Sequence, residues 1–243
     1  MKKNRGRKNA GLGFWGDCFI KRKGASYLPL HIEPLVKKDG SDVVLLFDRL
    51  GWDYSEEEID LILKSGSLFG HRNKKGKVIS TAAIFPYKTI ASLGMVMVDP
   101  DYRRIGLATQ LVKKCISKVS DRSIMLVATE EGKPLYEKLG FQTVTTLHKF
   151  VAKEYISGSL SGTDSYTIRP ILKQDIPEII RLDQEAFGGD RSIFLENRIK
   201  QAVYRVMLRS RTGEVLGYGL GVQNPRMLMI GPVVAPDTMG PIY

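Results

Sequence analysis

Apolar positions along the chain change period repeatedly, and each change marks an element. HIEPLV at 31–36 reads as a short strand. Residues 39–42 then offer turn and N-cap groups to an amphipathic helix, VVLLFDRL, which Gly51 closes. In GWDYSEEEIDLILKSG, Ser55 and Glu58 have capping-box spacing and Gly66 is a C-terminal stop, which predicts a second helix over 56–65. The β-forming runs at 67–72, 77–85 and 91–98 are separated by NKKGK and PYK, which predicts an antiparallel meander. Gly94 inside the third run marks either a bulge or a weak point in the strand.

Asp99, Pro100 and Asp101 end that strand, because proline has no donor for a continuing ladder. From Arg104 a helix is expected, with Ala108, Leu111, Val112, Cys115, Ile116 and Val119 on one face. Cys115 therefore reads as a core residue rather than a nucleophile. Ser123 onward, SIMLVAT, is a buried strand parallel to the one ending at Val98, since a helix joins them. GKPLYEKLG is a short helix stopped by Gly140, and FQTVTTLHKFV is expected to return as a strand. The strand, loop and helix over 92–119 would present free amides and arginines at a positive dipole end, a site for a phosphate-bearing ligand.

Residues 153–165 have linker composition, and a second series of elements follows. Ile32, Pro34 and Asp39 match Ile168, Pro170 and Asp175, while Val98, Pro100 and Asp101 match Val234, Pro236 and Asp237, all at one offset of 136 residues. An equal offset at both ends of a long segment indicates a duplicated unit. The counterparts of Arg103, Arg104 and Gly106 would be Met239, Gly240 and Ile242, so the second copy is expected to lack the anion loop and to be partial over 166–243.

The formal net charge of +11 first suggests a nucleic-acid partner, but residues 1–30 hold eight Lys or Arg against one Asp. The excess is mostly a basic N-terminal arm, which reads as a solvated leader and argues against nucleic acid as the main partner. Two cysteines without a CxxC pair and three scattered histidines give no structural metal or disulfide framework and fit a reducing cytoplasm. No apolar run is long enough to span a bilayer.

VDPDYRRIGLATQLV, a buried strand and then PLYEKLGF resemble the two signature segments of the GNAT N-acetyltransferase superfamily, whose donor loop has the form Arg/Gln-x-x-Gly-x-Gly/Ala. Here the loop is Arg103, Arg104, Ile105, Gly106, Leu107 and Ala108. The resemblance implies an α/β (α+β) fold: a mixed, mostly antiparallel sheet flanked by helices over 31–152, followed by an incomplete copy. It implies acetyl-CoA held by the loop, Thr109 and the amides of Met97 or Val98, with the acetyl group passing directly to a primary amine. Tyr136 falls where the family has the tyrosine that protonates the leaving sulfur, although packing alone also explains a tyrosine there.

No general base stands out among Asp53, Glu56 and Glu130. Trp52, Asp53, Tyr54, Phe85 and Tyr87 are candidates for an acceptor pocket or, equally, for aromatic core and rim. The acceptor is expected to be a small-molecule or peptide amine, and the protein a monomer or homodimer. A non-catalytic acyl-CoA sensor is the alternative reading.

Overall fold

Five strands form the first sheet in the order β1 (Glu33–Leu35), β2 (Ser67–Arg72), β3 (Val78–Pro86), β4 (Ile90–Val98) and β5 (Ser123–Met125). The computed structural model describes residues 30–154 and 166–236. Within them β1 to β4 are antiparallel neighbours, and β5 lies parallel to β4 as the intervening helix requires. The basic arm, most of the 153–165 linker and positions 239–242 lie outside the described residues.

Helices α1 (Gly40–Arg49) and α2 (Glu56–Ser65) pack on one face of this sheet. They set Val43, Phe47, Ile59 and Ile62 against Leu35, Leu68, Val78 and Ala83. The Ser55 hydroxyl accepts from the Glu58 amide, which fixes the start of α2. Helix α3 (Leu107–Ile116) covers the other face with Leu111, Val112 and Cys115 over Phe69, Ala82, Ile84 and Leu93. The short helix α4 (Lys133–Lys138) ends at Gly140, whose φ of 91° is left-handed.

Four sequence expectations need correction. The buried strand expected over 123–129 is confined to Ser123–Met125, with Met125 and Val127 exposed. Helix α3 begins at Leu107 rather than Arg104, because Arg104 and Gly106 have φ of 62° and 88° and cannot belong to a right-handed helix. Asp39 does not cap α1; its carboxylate reaches back to the Val36 amide at 2.8 Å and pairs with Arg72 at 2.7 Å. The expected strand at 141–151 is absent, and Val144, Leu147, Phe150 and Val151 stand exposed. Their spacing of about three residues gives no two-residue alternation, so there is no single face to lay on a sheet.

The second sheet is antiparallel throughout: β6 (Tyr166–Pro170), β7 (Tyr204–Ser210), β8 (Val215–Gln223) and β9 (Leu228–Val234). Helices α5 (Ile176–Phe187) and α6 (Ser192–Gln201) close its core around Ile179, Leu195, Ile199, Met207 and Leu220. It repeats the first sheet in detail. Asp175 accepts from the Leu172 amide as Asp39 does from Val36. The turn Asn73 to Lys77 recurs as Ser210 to Glu214, with the same backbone bonds and the same arginine donating to the turn glycine's carbonyl. The offset is 136 in the first strand and 137 from β2 onward, since Gly70 opposite Glu33 corresponds to Met207 opposite Arg169, and Met97 opposite Thr81 to Val234 opposite Tyr218.

The two units meet through α2 and α6. The Arg198 guanidinium makes a bidentate pair with the Glu58 carboxylate, with both side chains buried, and lies over the Phe194 ring. Gln201 donates to the Glu57 carbonyl at 3.0 Å. Removing one buried charge strands the other, so Arg198→Met should lower stability by about 3–5 kcal/mol in urea unfolding, while Glu58→Leu combined with Arg198→Met should recover most of that loss.

Candidate functional site

Strand β4 pairs with β5 only over Ile90–Ser92. Beyond Ser92 its outer edge has no strand partner among the described residues, so a cleft opens between the ends of the two strands. A bulge shapes the free half: Thr81 faces Met97 while Ala83 faces Gly94, which leaves one extra residue on β4. Met95 there has φ of 54°, and the Thr81 hydroxyl donates to its carbonyl at 2.7 Å. Of the two readings left open at Gly94, a bulge or a weak point, the strand has a bulge, which lies just after it.

The direction of the last amides follows from the ladder. Asp99 donates to the Ile79 carbonyl at 2.8 Å, so Asp99 and Met97 face β3, and Val98 turns its N–H and C=O to the open edge. Of the two amides expected at the cleft, Val98's faces it and Met97's does not. The Val98 carbonyl accepts from Arg103 Nε at 3.3 Å, and the same guanidinium pairs with Glu131 at 2.8 Å just before α4. Arg103 therefore spans the mouth of the cleft.

The loop between β4 and α3 is held from below. Arg49, in the last turn of α1, pairs with Asp99 at 2.5 Å and Asp101 at 2.9 Å, while Asp99 also accepts from the Asp101 amide. Gly106 sits left-handed at the start of α3, with open space where a Cβ would stand. Gln110 is the first amide in α3 to find a helix carbonyl, that of Gly106. The amides of Leu107, Ala108 and Thr109 thus have no intrahelical partner. Arg104 is exposed and makes no ion pair among the described residues.

Gln110 carries a second anchor. Its side-chain carbonyl lies 3.3 Å from Nε2 of His71, whose Nδ1 is 2.8 Å from the Ser80 hydroxyl. His71 is fully buried, and burial pushes its pKa down, so a neutral ring joins β2, β3 and α3. Neither this network nor the Arg49 clamp was read from the sequence, because partners 39 to 52 positions apart leave no local signature.

Tyr136 on α4 packs edge-on against Phe141 with ring centroids 6.0 Å apart, and burial raises its phenol above the ordinary tyrosine value. On the acceptor side the structure separates the candidates. The Asp53 carboxylate accepts from the Arg226 amide, Arg226 Nε and the Met227 amide, so it is committed to the second unit. The Trp52 ring is 38% exposed, with the Lys149 ammonium 5.7 Å from its centroid. Tyr54 packs on Phe47 and Phe85 joins the same core, while Tyr87 stacks edge-on against Phe187 of the second unit. Glu56 and Glu130 are exposed.

Two family models, each described as an acetyltransferase (GNAT) domain, match residues 65–143 and 179–240. The chain is 36% identical over 200 residues to the uncharacterized N-acetyltransferase YitH of Bacillus subtilis, which spans 82% of this chain and 70% of that protein. A candidate acetyltransferase from Pyrococcus horikoshii superposes with a TM-score of 0.64 at 19% identity, covering 89% of this chain and 74% of its own. A conserved protein from Enterococcus faecalis superposes with a TM-score of 0.57 at 14% identity over 86% of this chain and 59% of its own. The matches to both units and the similarity to YitH over 82% of the chain lead to one conclusion: the chain belongs to the GNAT acetyltransferases, with two copies of the family's unit in tandem.

Proposed function

We propose that the first unit, residues 31–152, is an acetyl-CoA-dependent N-acetyltransferase acting on a primary amine by direct attack, and that residues 166–243 form a second unit without a donor site. The observation that carries this reading is the half-unpaired, bulged β4 edge ending beside the start of α3. The residues fit the group. The amides of Leu107, Ala108 and Thr109, with Gly106 leaving space at its α-carbon, would hold the pyrophosphate, and Arg104 would add charge.

Acetyl-CoA supplies an acyl thioester, which becomes an amide and a free thiol as the C–N bond forms and the C–S bond breaks. The Val98 N–H is placed to polarise the carbonyl oxygen. The Tyr136 phenol holds a proton for the departing sulfur, and burial keeps that proton in place through neutral pH and above, so the group is in its donating form as the C–S bond breaks. With Asp53 tied to Arg226, the amine proton leaves to water at the cleft mouth or to an exposed carboxylate such as Glu56 or Glu130.

Free-thiol release should accompany acetylation of at least one amine in a panel of tyramine, spermidine and a lysine peptide. Tight CoA binding without turnover on any amine would overturn the reading in favour of a sensor. Tyr136→Phe should lower kcat by about 100-fold with little change in KM for acetyl-CoA. Gly106→Glu should raise that KM by at least about tenfold, because it adds left-handed strain and a like charge beside phosphate.

The pH profile carries a sign. Rate should rise with pH as the amine loses its proton, and any decline from Tyr136 ionisation should fall above the ordinary phenol value of about 10, because its pKa is raised. A decline below pH 9 that vanishes in Tyr136→Phe would contradict the assigned environment. Burial pushes the Cys115 thiol up to about 12, so native protein should resist iodoacetamide there at pH 8. Cys115→Ala should keep turnover within about twofold, as attack without an acyl-cysteine requires.

A further inference from the structure

The contacts between the units come in pairs related by an approximate twofold. Each unit has a hairpin tip before its last described antiparallel strand, closed by the same backbone bond: Tyr87 to Ile90 in the first and Asn224 to Met227 in the second. Each tip meets the loop between the two helices of the other unit. Tyr87 stacks on Phe187, and Ile90 approaches to 3.2 Å of where a Cβ on Gly189 would stand. Reciprocally, Asn224 and Arg226 grip the loop between α1 and α2, with the α2–α6 contact between the two grips. This is the isologous pattern of a homodimer, made within one chain.

The second grip is the stronger. Arg226 donates from its amide and Nε to the Asp53 carboxylate and from its remaining guanidinium to the Trp52 carbonyl, and it pairs with Asp48 at 3.2 Å. The Met227 backbone amide adds a bond to the Asp53 carboxylate, and the Asn224 side-chain Nδ2 donates to the Asp53 carbonyl. The backbone of residues 52–53 and its one buried carboxylate are thus fixed by the other unit, while the Trp52 ring is left exposed at 38%. A planar guanidinium with several donors can hold a carboxylate and a carbonyl together, whereas a lysine ammonium holds one point.

We propose that Arg226, with Asn224, is a positioning residue for the acceptor: the second unit serves as a built-in partner that fixes the 52–54 loop where the amine binds. This rests on the reading of the first unit as an amine acetyltransferase with its acceptor side at that loop. It assigns the second copy a role in amine recognition that needs no donor site of its own.

The test uses the full chain with Trp15→Phe, which leaves Trp52 as the only tryptophan. Arg226→Ala should shift Trp52 emission and raise its acrylamide quenching at least about twofold. With the best amine of the panel, its KM should rise about tenfold or more while KM for acetyl-CoA stays within twofold, as misplacing a binding loop demands. Arg226→Lys should recover part of both effects, and Asn224→Ala should give a smaller shift in the same direction. Unchanged Trp52 emission and quenching in Arg226→Ala would overturn the proposal whatever the kinetics. A loosened Trp52 with an unchanged amine KM would instead overturn the placement of the acceptor at this loop, leaving the donor site and the acetyltransferase reading intact.

Discussion

Everything at the site depends on β4 losing one of its two neighbours partway along. A strand paired on both sides presents no backbone donors. One that is released after Ser92 and turned by a bulge offers the Val98 amide to the cleft while keeping Met97 and Asp99 in the ladder with β3. The bulge places Met95 at a positive φ, a conformation that costs roughly 1–2 kcal/mol for a residue with a Cβ. The Thr81 hydroxyl on its carbonyl helps to offset that strain. The loop that follows must then meet α3 at a fixed height. Arg49 sets it from α1 through Asp99 and Asp101, and His71 sets it from the sheet through Gln110. Both anchors are polar and directional: the His71 network is buried, while the Arg49 clamp has only Asp99 buried and leaves Arg49 and Asp101 exposed.

The joint between units rests on a different balance. The Glu58–Arg198 pair is desolvated on both sides, and its net contribution to stability is small compared with the penalty for breaking it. What it supplies is register: only one placement of α6 on α2 lets a bidentate pair form over Phe194. With that register set, Arg226 reaches Asp53. An interface held by directional polar contacts at two places and by an aromatic contact at a third restrains the loop from several sides, which is what a loop-positioning role for the second unit requires.

The sequence carried most of the fold and less of the site, for separable reasons. Helices and strands bounded by Gly, Pro or a capping serine were legible to within a residue or two, α2 and β2 in full, because punctuation is local. The start of α3 was misplaced because nothing in Arg104 signals a left-handed backbone. The 141–151 strand was misread because β propensity was counted without alternation. Asp53 was one open candidate among several, and its bonds to Arg226 and Met227 left no sign in the sequence, since those partners lie more than 170 residues away. The duplication was visible, yet its drift from 136 to 137 is legible only from strand pairing.

That register also explains why the two copies differ in what they can do. The pair His71–Ser80, which ties α3 down in the first sheet, corresponds to Leu208–Gly217 in the second. The Thr81 that braces the β4 bulge corresponds to Tyr218, whose hydroxyl instead donates to Asp183 in a buried cluster with Arg191. The face that α3 covers in the first sheet has as its counterpart Tyr204, Val206 and Ile230 around Gly219 and Gly221, and those three side chains are exposed. The bulge itself recurs in the second sheet, where Gly219 faces Val233 and Gly221 faces Ile230, but the His71 and Thr81 braces of the first unit are replaced there by other groups. A duplicated unit that lacks those braces is free to specialise its hairpin tip. Arg226 at that tip is the residue through which the second copy holds the 52–53 backbone of the first.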